Sequence, residues 1–231
     1  MVVVVTGASQ GIGKAIAERF AEEGASIALW SRTESKLEAV AERCREKGAE
    51  AMVCPCDVTS DEDVAKAADA VLSEWGAPDV LVNNAGAFTP APIDETSADA
   101  FRSQVDVNLN APYVVTKQFL SPMREAGSGH LFFMGSIASI TAYPGSVAYC
   151  AAKHGLLGLA RVVREETKED GLRVTTVMPG ATRTPSWDGT ELPDERFIAP
   201  EDVAEAVYDA FHLSPRTVVE EILLRPQKGD V

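Results

Sequence analysis

Tyr149 and Lys153 stand four residues apart in the run Tyr149-Cys150-Ala151-Ala152-Lys153, within a stretch whose pattern predicts a helix. That spacing puts both side chains on one helix face, a turn apart. Ser136 lies thirteen residues before the tyrosine, where the apolar, strand-like run 131–135 ends. A phenol, an ammonium and a hydroxyl can together move a proton. A carbonyl that takes hydride at carbon needs that proton at oxygen. Tyrosine can supply it, although an ordinary pKa of about 10 suits neutral pH poorly. A lysine one turn away, joined by the positive charge of an oxidised hydride carrier, favours the phenolate, and a drop of about 3 units needs ~4 kcal/mol from the two cations together. A serine hydroxyl can hold and orient the substrate oxygen. Each residue also has an ordinary use, as a helix aromatic, a solvated cation or a strand-end turn. The chemistry rests on finding the three together with a nucleotide seat.

That seat is legible at the N-terminus. The apolar run 2–5 leads directly into Thr6-Gly7-Ala8-Ser9-Gln10-Gly11-Ile12-Gly13. Glycines 7, 11 and 13 follow a strand and open a helix, as a pyrophosphate seat requires, because glycine allows the tight turn and lets backbone N–H groups approach the anion. The spacing is Gly-x3-Gly-x-Gly rather than Gly-x-Gly-x2-Gly. A structural turn could use the same glycines; the surrounding strand and helix favour the nucleotide. The second strand ends in Trp30-Ser31-Arg32, without the acid that would hold a ribose 2′-hydroxyl of NAD. Arg32 offers a planar fork and Ser31 a hydroxyl to a 2′-phosphate, so NADP(H) is expected in preference to NAD(H), which remains possible.

The supporting elements alternate strand and helix, which implies a parallel sheet covered on both faces. Strands are expected at about 2–5, 26–30, 50–54, 79–82, 130–134, 173–178 and 218–224. Helices are expected at about 11–23, 33–47, after Ser60, at 97–125 with a bend at Pro112, at 146–169, and from Pro200 onward. The longest irregular stretch is about 180–199, a length usually kept for function. One α/β domain spans 1–231.

Composition narrows the setting. Hydrophobic residues make up 45% and charged residues 24%, as in soluble globular proteins. The net charge of −14 argues against nucleic acid and anionic membranes as partners. Only eight of the cations are lysines, which fits a salt-rich cytoplasm or a merely acidic enzyme. No apolar run approaches a membrane span, and the first strand begins at residue 2, so a cytoplasmic, unprocessed chain is expected. Cys44, Cys54, Cys56 and Cys150 read as packing residues, and His130, His154 and His212 share no ligand spacing, so no metal is expected.

Six motifs in order resemble the short-chain dehydrogenases/reductases over residues 2 to about 185: Thr6-Gly7-x3-Gly11-x-Gly13, Asp57-Val58, Asn83-Asn84-Ala85-Gly86, Asn108 with Ser136, Tyr149-x3-Lys153, and Pro179-Gly180 with Thr182. The resemblance implies a Rossmann-type, doubly wound, seven-stranded parallel sheet in the order 3-2-1-4-5-6-7. It implies that Gly7, Ser9, Gln10 and Ile12 line the pyrophosphate and ribose, and that Asp57 and Val58 bracket the adenine. Asn84, Ala85 and Gly86 would run along the cofactor, with Pro179 and Thr182 near the carboxamide. Asn108, Ser136, Tyr149 and Lys153 would be the catalytic four. Asn108 would fix a helix irregularity and a water, and Lys153 would also hold the nicotinamide ribose.

The substrate is expected to be a small carbonyl or secondary alcohol, met by Ala87, Phe88, 137–142, Tyr143 and 180–199. A 3-oxo or 3-hydroxy acid is favoured over an acyl-carrier-protein thioester, because the runs 123–129 and 164–170 are poor in net positive charge for docking an acidic carrier. Relatives pair through helices corresponding to about 113–126 and 147–168, so a homodimer or homotetramer is expected.

Overall fold

The structure, a computed structural model, describes residues 1–230. Seven strands, β1 (Val2–Thr6), β2 (Ser26–Ser31), β3 (Glu50–Pro55), β4 (Val80–Asn83), β5 (Gly129–Met134), β6 (Leu172–Pro179) and β7 (Glu221–Leu224), form one sheet in the order 3-2-1-4-5-6-7. Every neighbouring pair is parallel. The helices are α1 (Gly11–Ala21), α2 (Glu34–Glu46), α3 (Asp61–Trp75), α4 (Ala98–Val105), α5 (Ala111–Ala126), α6 (Val147–Thr167) and α7 (Pro200–His212).

Alternation along the strands divides the core. Val3, Val5, Ile27, Leu29, Val80, Val82 and Phe132 face α1, α2 and α7. Val4, Ala28, Trp30, Leu81, Leu131, Phe133 and Val174 face α3, α5 and α6. The strands are apolar on both faces because both faces are covered, the requirement of a parallel sheet.

Local signals placed most boundaries. Ser60 caps α3, its side chain accepting from the Asp63 amide at 3.3 Å. Gly127 ends α5 in the left-handed conformation. Pro200 takes the first position of α7. Two expectations change in detail. The 97–125 region is two α-helices joined by one π-turn at Asp106–Asn110, and Pro112 follows the π-turn in the first turn of α5. The last strand starts at Glu221, three residues later than its apolar pattern suggests. The 180–199 stretch contains two short 3₁₀ turns, Pro185–Trp187 and Asp194–Arg196. Among the described residues, no helix is long and apolar enough to cross a membrane.

Candidate active site

β1 lies between β2 and β4, so the strand order reverses at the carboxyl ends of β1 and β4, where open α/β sheets form a crevice. Thr6 holds this point together. Its hydroxyl donates to the Val82 carbonyl at 3.3 Å and accepts from the amides of Asn84 at 2.9 Å and Ala85 at 3.0 Å. The Asn84 side chain donates in return to the carbonyls of Thr6 at 2.9 Å and Gly7 at 3.2 Å. The glycine turn is thus fastened to the end of β4. Gly7 has φ +66°, which favours glycine, and a Cβ on Gly13 would lie 2.4 Å from the Asn84 amide nitrogen and 2.5 Å from the Gly7 carbonyl.

A cleft of about 1010 Å³ runs from this turn across the carboxyl edge of the sheet. Gly7, Ser9, Gln10, Gly11, Ile12, Ser31, Arg32, Asp57, Val58, Asn84, Ala85, Gly86, Pro179, Gly180 and Thr182 line it, as do Asn108, Ser136, Tyr149 and Lys153. Gly13 does not line the cleft. It packs behind the turn, where its lack of a side chain lets α1 approach β1 and Asn84.

At one end, the Asp57 carboxylate accepts from the Thr59 amide at 3.0 Å and the Thr59 hydroxyl at 2.7 Å. These bonds, helped by the charge of Arg32, hold it below the usual carboxylate range. The Ser31 hydroxyl is buried without a partner. An orphaned buried hydroxyl beside Arg32 fits a phosphate acceptor brought by a ligand.

The central part holds the proton-transfer set. Lys153 is buried, and its ammonium donates to the Met134 carbonyl at 2.7 Å. Burial pushes its pKa down to about 8. Tyr149 lies with its ring centroid 5.5 Å from Lys153 Nζ. Burial raises the phenol, while a hydrogen bond from Ser136 pulls the other way. Burial thus outweighs the protein's own stabilising contacts and holds the phenol protonated; the lowering expected from Lys153 and an oxidised hydride carrier together needs the carrier's charge as well as the lysine's. Ser136 is extended, with φ −166° and ψ 164°. Its hydroxyl oxygen accepts from the Ala138 amide at 3.1 Å and its amide donates to the Ser139 hydroxyl at 3.2 Å, which leaves the Ser136 O–H proton for Tyr149 or for a substrate oxygen.

Asn108 sits in the π-turn, fully buried. Its side-chain amide donates to the carbonyls of Ala87 at 2.8 Å and Gln104 at 2.9 Å, and its oxygen accepts from the Ala87 amide at 3.3 Å. The bond to Gln104 reaches back four residues from within the π-turn, a local irregularity frequent at functional sites. Asn108 also stands against Gly86, where an added Cβ would lie 2.8 Å from its oxygen.

At the far end, Phe88 packs on Tyr149 with ring centroids 4.9 Å apart, and Trp187 packs on Phe197 at 5.1 Å. Thr184 leans over the glycine turn, its methyl 3.0 Å from where a Cβ of Gly11 would be. Arg183 braces this loop by donating to Asp194 at 2.7 Å. Tyr143 donates to Asp230 at 2.9 Å, and Arg225 donates to the same carboxylate oxygen at 2.8 Å. Asp230 lines the cleft and was not foreseen, since 87 positions separate it from Tyr143. Nor were the roles of Thr6 and Gln104. Thr6 carried a signal, as the hydroxyl residue directly before the first glycine.

Cys44, Cys54 and Cys56 are buried, and burial pushes their thiols up to about 11, 11 and 12, so they stay protonated packing residues.

Known proteins share this arrangement. The sequence profile of the short chain dehydrogenases matches residues 1–193. A sepiapterin reductase of Chlorobaculum tepidum is 34% identical over 240 residues, covering 100% of this chain and 98% of the relative. The crystal structure of an alcohol dehydrogenase from the archaeon Thermococcus sibiricus, complexed with 5-hydroxy-NADP, superposes with a TM-score of 0.92 at 32% identity, covering 100% and 98% of the two chains. A metagenomic short-chain oxidoreductase in complex with NADP gives 0.87 at 33% identity, covering 98% and 97%. The chain belongs to the short-chain dehydrogenase family.

Proposed function

We propose that this protein is an NADP(H)-dependent oxidoreductase that interconverts a small carbonyl compound and its secondary alcohol. The observation that carries the reading is the convergence of Ser136, Tyr149, Lys153 and Asn108 on one cleft that also contains the glycine turn. Related structures bind NADP or an NADP derivative, and the orphaned Ser31 hydroxyl beside Arg32 suits the 2′-phosphate. Bound there, the nicotinamide supplies or accepts the hydride. The protein's residues do the rest. Ser136 donates to the substrate oxygen and fixes its position. Tyr149 gives that oxygen a proton during reduction and takes one back during oxidation. Lys153 stabilises the phenolate left behind, and its fixed contact with Met134 keeps the ammonium aimed at the cleft. Asn108 holds the Ala87 segment and the π-turn in register, so that Gly86 and Ala87 form the floor beside the reacting atoms. Phe88, Tyr143 and Trp187 line the substrate end of the cleft as its aromatic wall.

A free small substrate, with 3-oxo and 3-hydroxy acids first, is favoured over a carrier-protein thioester. Among the described residues, the arginines of α5 and α6 are paired within the chain, and Lys117 alone of the exposed lysines and arginines there lacks a carboxylate partner. Arg124 pairs with Asp170 at 2.8 Å, Arg164 with Glu220 at 2.7 Å and Arg161 with Glu221 at 2.7 Å. A second reading, reduction of a side-chain carbonyl on a pterin-like ring, is favoured by one observation: the Asp230 carboxylate sits in the cleft beside Tyr143, able to accept from ring N–H groups. The sepiapterin reductase relative makes this class worth including.

The deciding experiment is NADPH consumption with 3-oxo acids, 3-oxoacyl thioesters, diketones and a pterin carrying a side-chain ketone. Selective turnover of one class assigns the substrate. No turnover of any class, with NADPH bound, would point to a substrate outside the panel or to a dinucleotide-binding sensor without catalysis, an alternative that the complete set of Asn108, Ser136, Tyr149 and Lys153 disfavours. A homo-oligomer built through α5 and α6, and a cytoplasmic location, complete the proposal. Tyr113 and Val162 expose apolar surface on those helices, and light scattering reads the assembly.

A further inference from the structure

We propose that Lys36 is a second cation for the 2′-phosphate, set in place by Gln10 across the mouth of the cleft. The inference rests on the NADP(H) reading above and adds to Arg32 a residue that the strand-end pattern does not indicate.

Lys36 stands in the first turn of α2, just after Thr33, which makes no side-chain capping bond. A cation is misplaced there on local grounds, because the first turn of a helix favours acids. Residues that break a local rule concentrate at functional positions. The ammonium is directed to the cleft: it donates to the Gln10 side-chain oxygen at 3.2 Å, and both residues line the cavity with Arg32 and Ser31. Its neighbours behave differently. Lys14, Arg19, Arg43 and Arg45, on the same two helices, all pair with carboxylates. Among the described residues, Lys36 and Arg32 have no carboxylate within ion-pair distance. Both line the cleft, so in a chain of net charge −14 two cations without carboxylate partners stand where a bound anion could meet them.

The charges match. A phosphate monoester carries about −1.5 to −2 near pH 7, more than one guanidinium neutralises. Arg32 would take two oxygens through its fork and Lys36 the third as a point charge, with the Ser31 hydroxyl completing the set. Gln10 bridges the phosphate turn to α2, so the same residue that borders the pyrophosphate seat positions the second cation.

Calorimetric titration of the full chain with 2′,5′-ADP and with 5′-AMP tests this, using wild type, K36Q and K36R. The wild type is expected to prefer 2′,5′-ADP. K36Q should lose about tenfold in affinity for 2′,5′-ADP, the scale of one charge-assisted contact, while its 5′-AMP affinity changes less than about twofold. K36R should recover most of the loss. The affinity for 2′,5′-ADP should also fall less steeply with added salt in K36Q than in wild type. Equal losses for both nucleotides, or no loss for 2′,5′-ADP, would overturn the role of Lys36 while leaving the cofactor reading intact. A wild type that binds 5′-AMP as tightly as 2′,5′-ADP would overturn both.

Discussion

The Lys153 ammonium lies 2.7 Å from the Met134 carbonyl oxygen, a bond between the centre of α6 and the last residue of β5. It fixes a buried charge beside Tyr149 without neutralising it. Because burial lowers this lysine to about 8, it is charged below that pH and neutral above it. Reduction leaves a phenolate that the charge stabilises, so kcat/KM for reduction should be level below about pH 8 and decline above it, by up to about tenfold per unit. Steady-state kinetics from pH 6 to 10 check this. A level profile across that range would remove the lysine charge from the mechanism.

Tyr149→Phe removes only the hydroxyl and leaves the ring against Phe88. Turnover should fall by about 10²–10⁴-fold, the usual worth of a positioned acid. NADPH affinity, followed by fluorescence, should stay within a few fold. Activity near wild type would assign the proton to another group.

Asn108→Leu keeps the branching of the side chain, removes its polar atoms and strands its partners. The Gln104 carbonyl would be left buried and unbonded, at about 1–3 kcal/mol, and loss of the part-buried bond to the Ala87 carbonyl would add to that. For a chain of this size the melting temperature should drop by roughly 5–15 °C, and turnover with it. Asn108→Asp keeps the acceptor but loses both donors, so it should fall short of wild type in the same assay. Unchanged melting of the leucine variant would show that the π-turn does not depend on this side chain.

His130 supplies a pH dependence of stability separate from catalysis. It is fully buried and stacked on Phe132, with Nε2 2.7 Å from the Thr175 hydroxyl. That hydroxyl donates to the Val219 carbonyl at 2.5 Å, so it accepts from Nε2–H, and Nδ1 has no partner. Burial, with Arg173 nearby, holds the folded-state pKa well below 6.5. The unfolded chain therefore takes up the proton first. The stability from neutral His130 is complete above about pH 6.5 and is lost as the pH falls below it, at up to ~1.4 kcal/mol per unit. Urea midpoints should decline between pH 6.5 and 5 in wild type and decline less in His130→Gln. Parallel declines would place the titration elsewhere.

What could be read from the sequence was what is local. The strand, glycine turn and helix at residues 2–21, the Ser60 cap, and the Tyr149–Lys153 pair depend on neighbours within a few positions, and period and turn chemistry report those directly. The strand order came through resemblance, and the structure has the same order; the resemblance also put a helix irregularity at Asn108, where the π-turn lies. The direction of the Tyr149 shift could not be read, because it depends on how deeply the ring is buried and on which acceptor Lys153 finds; Met134 is 19 positions from that lysine. Asp230 beside Tyr143 and the Thr6 bonds to Asn84 and Ala85 join residues with no shared period or motif. The late start of β7 has the same cause: Val219 is bonded to Thr175 and makes no ladder pairing of its own.

β1 sits between β2 and β4, and these neighbours leave the ribosome at different times. β2 ends at Ser31, but β4 is complete only at Asn83. At about 5–20 residues per second, β1 spends several seconds with one hydrogen-bonding edge open and its valines uncovered on that side. The nascent chain is most exposed to wrong pairing in that interval. Synonymous changes that slow translation between residues 31 and 83 should therefore lower the soluble yield without altering the finished protein.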